Sequence, residues 1–275
     1  MIRGHWALLA IMVLVGFHAQ AGADSILGTA ADFAVLAGSG ITNTGPSVIN
    51  GDLGVSPGSA ITGFPPGIVN GTVYQTDAVA LQAQNDLTTA YTNLFGMTVT
   101  QDLTGQDLEG MVLLPGVYVF SSSAMLSNNT TGILTLNANN DPNAVFVFLI
   151  GSTLTTASYS SVVVINPPYE DFCNKYFVVG SSATIGTYTD FEGTILALTS
   201  ITLNTGANIT RGRALARNGA VTLDTNTITN TYCDSGDSDV PEPGTYLLFG
   251  VGLALLLTVR KKLVVAAACR TRSAV

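Results

Sequence analysis

Two acidic and three arginine side chains in the C-terminal half of the sequence are of the types that carry acid–base chemistry. Asp190 and Glu192 are two residues apart, and Arg211, Arg213 and Arg217 follow within about one sequence repeat. Polysaccharide lyases and hydrolases use paired carboxylates and arginine to move protons and to hold acidic sugars. The same charges would also pair across the surface as ordinary ion pairs. A polysaccharide-active enzyme is therefore only a distant alternative.

The first 23 residues have the pattern of a secretory signal peptide. Arg3 precedes the apolar run WALLAIMVLVGF, and small residues then lead to a cleavage position after Ala21 or Ala23. Both histidines of the chain, His5 and His18, lie in this segment. The exported chain has no histidine, which excludes Ser-His-Asp and Cys-His catalysis and histidine-ligated metals. We expect no catalytic residues.

The exported part of the chain, residues 24–239, is strongly acidic. Its four basic residues stand against 17 acidic ones, a formal net charge of −13. Nucleic acid is excluded as a partner, because phosphate neutralisation needs clustered Lys and Arg. No aspartate recurs at a fixed spacing, as a calcium array requires, and the Gly-rich stretches lack the lysine of a phosphate loop. We therefore expect neither a metal nor a cofactor.

The C-terminal residues form a sorting pattern. The motif consists of Val240, Pro241, Glu242 and Pro243, followed by mostly apolar residues 245–259 and the basic cluster Arg260, Lys261 and Lys262. The pattern predicts a membrane-directed or transmembrane helix, although its 15 mostly apolar residues are fewer than the roughly 20 of a full span. It resembles the PEP-CTERM signal of Gram-negative bacteria, which implies an exosortase-type processing enzyme and a transient or stable membrane anchor. Residues 263–275 form a short tail that such signals normally lack.

Internal repeats indicate the fold of the remaining domain, residues 24–232, which a linker at 233–239 joins to the sorting signal. GSGITNTGPSVINGD from Gly38 and GSAITGFPPGIVNGT from Gly58 share seven identities at a constant offset of twenty. A second phrase recurs as TLTT at 153–156, TIGT at 184–187, TLNT at 202–205 and TLDT at 222–225. A period of 18–20 is typical of one coil of a β-solenoid, in which neighbouring coils stack to bury a common core.

One segment departs from the strand pattern and predicts a helix over about residues 76–95. Val79, Ala83, Leu87, Tyr91 and Leu94 recur at helical spacing. Thr76 or Asp77 can cap its start and Gly96 can end it. We expect this helix to pack along the solenoid and to cover strands that are apolar on both faces.

The combined pattern resembles the ice-binding-like protein family. The resemblance covers about Leu27 to Thr229 and is carried by LGTAADFAVLAGSGITNTGP, NGDLGVSPGSAITGFPPG, DPNAVFVFLIGSTLTTAS, GTILALTSITLNTGA and GRALARNGAVTLDT. It implies a mainly β fold, a right-handed discontinuous β-helix with one long α-helix packed alongside. It also implies that the first and last parts of the chain meet within the solenoid.

Threonine occupies both ends of the repeated phrase, so in-register coils would stack it into ladders. The candidate ice-binding residues are Thr153, Thr184, Thr202 and Thr222 at the first position and Thr156, Thr187, Thr205 and Thr225 at the last. Neighbouring strands lie about 4.7–4.9 Å apart, close to an oxygen repeat in ice. The family often carries Thr-Ala/Gly-x-Thr/Asn on its ice-binding face, and TGAN, Thr205 to Asn208, fits that pattern. The resemblance thus implies a non-enzymatic protein that binds ice, or ordered water at a crystal surface, through a flat threonine-rich face.

Two features leave alternatives open. Threonine also favours strands and stabilises stacked coils, so the same ladders would suit a cell-surface or matrix module that binds polysaccharide or proteins. Cys173 and Cys233 form a possible disulfide, since an exported domain permits one. In every case we expect a secreted or cell-envelope protein.

Overall fold

The computed structural model describes residues 24–230, which contain two α-helices, one 3₁₀ helix and 24 strands. The chain opens with α1 (Asp24–Leu27) and the 3₁₀ helix (Gly28–Asp32). The strands before the long helix are β1 (Phe33–Ala37), β2 (Gly40–Thr44), β3 (Val48–Asn50), β4 (Asp52–Val55), β5 (Ala60–Thr62), β6 (Ile68–Val69) and β7 (Val73–Gln75). The long helix, α2, spans Ala78–Phe95.

The remaining strands follow α2 in regular order. They are β8 (Gln101–Asp102), β9 (Val112–Leu113), β10 (Gly116–Phe120), β11 (Ala124–Leu126), β12 (Ile133–Asn137), β13 (Phe146–Ile150), β14 (Leu154–Thr156), β15 (Ser161–Ile165), β16 (Lys175–Val179), β17 (Ala183–Ile185), β18 (Asp190–Glu192), β19 (Thr194–Ala197), β20 (Ile201–Leu203), β21 (Asn208–Thr210), β22 (Ala214–Ala216), β23 (Ala220–Asp224) and β24 (Thr227–Thr229).

The strands form three parallel sheets around a common core. Sheet A has the order β7-β4-β1-β22-β19-β16-β13-β10-β8, sheet B the order β11-β14-β17-β20-β23-β2-β5, and sheet C the order β6-β3-β24-β21-β18-β15-β12-β9. Each complete coil contributes one strand to each sheet. The predicted mainly β solenoid with one long helix is therefore confirmed.

The solenoid is discontinuous, because the first coil of the chain stacks on the last. Val35 pairs with Ala214 in sheet A, and Ile49 pairs with Ile228 in sheet C. The offset of twenty between the first two coils is also confirmed, since Ile41 pairs with Ile61. The meeting of the two chain ends that the family resemblance implied is thus present.

Alternation along each strand sends every second side chain into the core. In β20 the flanking residues Ile201 and Leu203 are buried, and Thr202 between them faces outward. Aromatic residues extend the stacking through the core: the rings of Phe148 and Phe177 lie 4.4 Å apart and nearly parallel. Burial of such side chains, worth about 1.5–3 kcal/mol each, holds the coils together.

Helix α2 covers the outer face of sheet A, which explains why those strands are apolar on both faces. Leu87 and Tyr91 belong to the buried cluster between the helix and the sheet, and the Tyr91 hydroxyl donates to the Val179 carbonyl at 3.2 Å. Asp77 caps the helix by accepting the Ala80 N–H at 2.8 Å. Val79 was expected on the buried face but is 45% exposed, because the buried face of the helix begins one residue later, at Ala80.

In five coils, the corner between sheets B and C contains one residue in the left-handed backbone conformation three or four residues after the outward-facing threonine of sheet B. These residues and their φ angles are Tyr159 (59°), Tyr188 (54°), Gly206 (70°), Thr225 (56°) and Gly45 (77°). Backbone hydrogen bonds connect successive corners: the Tyr188 N–H donates to the Thr205 carbonyl at 3.0 Å, and the Gly206 N–H to the Asp224 carbonyl at 3.0 Å. This repeated turn fixes where sheet B ends.

Candidate functional site

Outward-facing threonines form a continuous row across sheet B. The row consists of Thr155, Thr184, Thr202, Thr222, Thr42 and Thr62, each the Cα register partner of the next. Met125 of the end strand β11 is the partner of Thr155 and takes the next position. We call these six residues the threonine row. Because parallel strands lie about 4.7–4.9 Å apart, the row repeats at that spacing.

The protein leaves the hydroxyls of the row largely free. Within residues 24–230 those of Thr155, Thr184, Thr202, Thr222 and Thr42 make no hydrogen bond to protein, and only Thr62 lies within 3.5 Å of an acceptor, the Ile41 carbonyl. All six side chains are exposed or half-buried. No residue of the row is charged. The row thus presents methyl groups and unused hydroxyls to water.

The observed strand register differs by two residues from the expected alignment of the phrase TLTT. Thr155, and not Thr153, pairs with Thr184, because Leu154 and Thr156 are the residues of β14 that point inward. The hydroxyl of Thr153 lies 2.8 Å from that of Ser123, just before the strands. Thr156 was expected on the ladder but is only 3% exposed. Its hydroxyl accepts the Gly186 N–H at 2.9 Å inside the solenoid.

The other final threonines of the phrases lie at the corner and not in the row. Thr205 immediately precedes the left-handed Gly206, and its hydroxyl donates to Asp224 Oδ2 at 2.5 Å. Thr187 precedes the left-handed Tyr188 in the same way. Thr225 is itself the left-handed residue of its coil, so it is not in register with Thr205. The expected second ladder is therefore absent at these three positions.

The last residue of TGAN belongs to sheet C. Asn208 begins β21, where its side-chain Nδ2 donates to Asp190 Oδ1 at 3.3 Å and its side-chain Oδ1 accepts the Thr227 N–H at 3.0 Å. The motif from Thr205 to Asn208 thus turns the corner between two sheets. Its polar side chains are bonded to other protein groups.

The acidic and basic residues form ion pairs within the solenoid wall. Glu192 Oε1 lies 2.9 Å from Lys175 Nζ and 3.6 Å from Arg211 Nη1. Lys175 is fully buried, and this burial lowers the pKa of its amine to about 8 against the opposing effect of the Glu192 carboxylate. The contacts therefore agree with the ion-pair interpretation of this cluster.

The two other arginines contact other parts of the chain. Arg213 is 2% exposed and its Nε donates to the Ala31 carbonyl at 2.7 Å. Arg217 lies over the ring of Tyr91 in helix α2, 4.7 Å from its centroid. Asp190 contacts Asn208 instead of an arginine. The five residues considered for acid–base chemistry do not converge on one site.

Several predicted features fall outside residues 24–230. The signal peptide and the sorting residues Val240, Pro241, Glu242, Pro243, Arg260, Lys261 and Lys262 are among them. Cys173 is buried and disulfide-bonded, but Cys233 lies outside the described residues, so that pairing stays a prediction. No helix of the described part is long and apolar enough to cross a membrane, and the same residues contain no cluster of metal ligands.

Sequence reasoning missed half of the threonine row. Thr42 and Thr62 were already visible as identities of the twenty-residue repeat, but nothing in the sequence joined that repeat to the later phrase. The stacking of β2 on β23 makes the connection. Thr155 was hidden because the longer coil before Thr184 allowed two alignments of the phrase.

Comparison with known protein families gives two matches. Residues 35–229 match the model described as ice-binding-like, and residues 239–262 match the PEP-CTERM protein-sorting motif. The sorting motif indicates export and association with the cell surface.

Individual proteins agree with the family match. An ice-binding protein of Nostoc sp. (strain HG1) is 56% identical over 265 residues, covering 94% of this chain and 96% of that protein. A crystal structure of an ice-binding protein from an Antarctic biological consortium is 47% identical, with a TM-score of 0.69 over 74% of this chain and 89% of that one. The structure of an ice-binding protein from the ascomycete Antarctomyces psychrotrophicus has a TM-score of 0.70 at 40% identity, covering 74% and 97% of the two chains.

Proposed function

This chain belongs to the ice-binding-like family, and we propose that it adsorbs to ice through the threonine row of sheet B. Family membership supports the non-enzymatic function expected from the sequence. It gives no support to the two alternatives, a polysaccharide-binding matrix module and a polysaccharide-active enzyme. Side chains of the exported domain make the contact with ice, without a cofactor.

One observation carries the assignment to sheet B: five of the six row hydroxyls have no partner among the described residues, whereas polar side chains on the outer face of sheet C bond one another. The Asn70 amide donates to Asn50 Oδ1 at 2.8 Å, and the Asn50 amide donates to Thr229 Oγ1 at 3.0 Å. A hydroxyl offers one donor and two acceptor positions, all of them available when no protein group uses them. Sheet B therefore has more capacity to bond the water molecules of an ice surface.

Adsorption follows from the number and rigidity of these contacts. Threonine is stiff at χ1, so each methyl and hydroxyl is held in nearly one position above its strand. Each contact with lattice water is weak, but six act on the same rigid surface. Linked contacts must break together before the protein leaves, which makes the bound state long-lived.

A substitution in the middle of the row tests the proposal. Thr202→Tyr places a bulky ring above the plane at a position where an aromatic residue is compatible with the strand. We expect loss of ice-crystal faceting and of thermal hysteresis, with an unchanged melting transition in circular dichroism. The matched control is Thr210→Tyr on the outer face of sheet C, where the side chain is exposed. Faceting that survives in Thr202→Tyr and disappears in Thr210→Tyr would assign ice contact to sheet C instead.

We further propose that an exosortase-type enzyme removes the C-terminal segment after the apolar residues 245–259 have held the chain at the membrane. The match to the sorting motif at 239–262 supports processing by such an enzyme. Mass spectrometry of the chain from a host that contains an exosortase should show a C terminus within or before the motif. Recovery from such a host of a chain that still ends at residue 275 would contradict processing.

A further inference from the structure

We infer that the threonine row matches a single direction of the ice lattice, so that the protein binds every ice plane that contains this direction and spares planes that lack it. The inference rests on the proposed function, because it concerns the selectivity of the same row. It follows from the regularity of the row along the stack and from the irregularity of the residues on both sides of it.

The row is regular in one direction. Each of its six strands contributes one threonine in direct register, from Thr155 at one end to Thr62 at the other. The repeat is the strand separation of about 4.7–4.9 Å, which the backbone hydrogen bonds fix. Along this direction the hydroxyls can follow a periodic row of oxygens.

The residues two positions before the row provide no second periodic column. They are Ser123, Thr153, Ser182, Ser200, Ala220, Gly40 and Ala60. Three of these have no hydroxyl, and the hydroxyls of Ser123 and Thr153 bond each other at 2.8 Å. Ser182 and Ser200 each accept a backbone N–H of the next coil at 3.3 Å. This column is therefore used for contacts between coils.

The residues two positions after the row are irregular in size and charge. They are Ser127, Ala157, Gly186, Asn204, Asp224, Thr44 and Phe64. Asp224 accepts hydrogen bonds from Thr205 and Thr225, and Ser127 donates to Glu109 Oε2 at 2.7 Å. No spacing perpendicular to the row repeats from coil to coil, so the surface lacks a second lattice dimension.

A surface that matches ice in one dimension selects a direction and not a plane. In hexagonal ice the short oxygen repeat runs along the a axes. The basal plane and the primary prism plane both contain an a axis, whereas the secondary prism plane contains none. The row can therefore lie on the first two planes in the same way, and it has no matching direction on the third.

Staining of a single-crystal ice hemisphere separates these cases. The full chain with a fluorescent protein at its N terminus is frozen into the growing hemisphere. We expect fluorescence on the basal and primary prism surfaces and signal about tenfold weaker, or none, on the secondary prism surface. Fluorescence confined to one plane family, or strong on the secondary prism surface, overturns the inference while leaving ice binding intact.

The substitutions of the row complete the test. Thr202→Tyr should remove fluorescence from the basal and primary prism surfaces together, because one row serves both, and Thr210→Tyr should leave both unchanged. If Thr202→Tyr removes the fluorescence from only one of the two ice surfaces, a second face of the protein binds the other surface and the inference fails. An unstained hemisphere with the unmodified chain contradicts the proposed function itself.

Discussion

Thr202 and Thr222 are direct register partners in neighbouring parallel strands, and neither hydroxyl bonds to another described residue. Thr205, only three residues after Thr202, instead donates its hydroxyl to Asp224 at 2.5 Å. Threonines that look equivalent in the sequence thus have opposite surroundings. Those of the row are free to bind a ligand, and Thr205 is engaged in holding two coils together.

Removing a row hydroxyl should weaken ice binding without affecting the fold. Thr222→Val keeps the shape and one methyl of the side chain but loses the hydroxyl. Since that hydroxyl has no protein partner, we expect the free energy of unfolding to change by less than about 0.5 kcal/mol. Thermal hysteresis at equal concentration should fall severalfold. A substantial loss of stability would show that the Thr222 hydroxyl has a structural partner.

The same substitution at the corner should have the opposite effect. Thr205→Val removes the donor to Asp224, which should lower the free energy of unfolding by about 1 kcal/mol. The variant remains folded at the temperatures where thermal hysteresis is measured, so its thermal hysteresis should stay near that of the unmodified chain. Loss of ice binding with retained stability would instead support TGAN as the contact site.

The left-handed corner gives a stability prediction for Gly206. Its φ of 70° disfavours a side chain, and the Tyr188 ring occupies the space into which a Cβ would project. Gly206→Ala should therefore destabilise the fold by about 2–4 kcal/mol in urea unfolding. The control is Gly110→Ala, where φ is 75° but the space is open, so only the backbone term of about 1 kcal/mol is expected. Equal effects at the two glycines would mean that the Tyr188 ring moves aside freely.

Much of the fold was predictable because it depends on repetition within the chain. The offset of twenty and the strand alternation of ITLNT both reappear as register and burial. The helix was predictable for the same reason, since its apolar spacing and its cap at Asp77 are local.

The site was only partly predictable, because its register depends on coil lengths that vary. Twenty residues separate Thr202 from Thr222, but 29 separate Thr155 from Thr184, so the phrase TLTT could be aligned through Thr153 or through Thr155. Corner conformation was also hidden. Tyr188 and Thr225 adopt the left-handed conformation that Gly206 adopts in its own coil, although neither is a residue type that predicts it.

Met125 suggests how the row could be lengthened. It pairs with Thr155 at the end of sheet B and is 51% exposed, with a side chain longer than threonine. Met125→Thr would extend the row from six rungs to seven, so thermal hysteresis at equal concentration should rise by up to about twofold. Met97→Thr, at a 39% exposed methionine outside the row, is the control and should leave the activity unchanged. A fall in activity for Met125→Thr would mean that the methionine itself contacts ice.

The buried Lys175 should make stability rise with pH in the alkaline range. Burial lowers the pKa of its amine from 10.5 to about 8, so between these values the unfolded chain binds more protons than the folded one. Because stability increases with pH wherever the unfolded state binds more protons, the penalty for burying the charge disappears across this window. From pH 8 to pH 10 we expect a gain of about 2 kcal/mol in the free energy of unfolding, measured by urea denaturation. Lys175→Met removes the titrating group and leaves Glu192 beside Arg211, so its stability should be nearly flat over the same range. A rise in the variant equal to that of the unmodified chain would assign the effect to other groups.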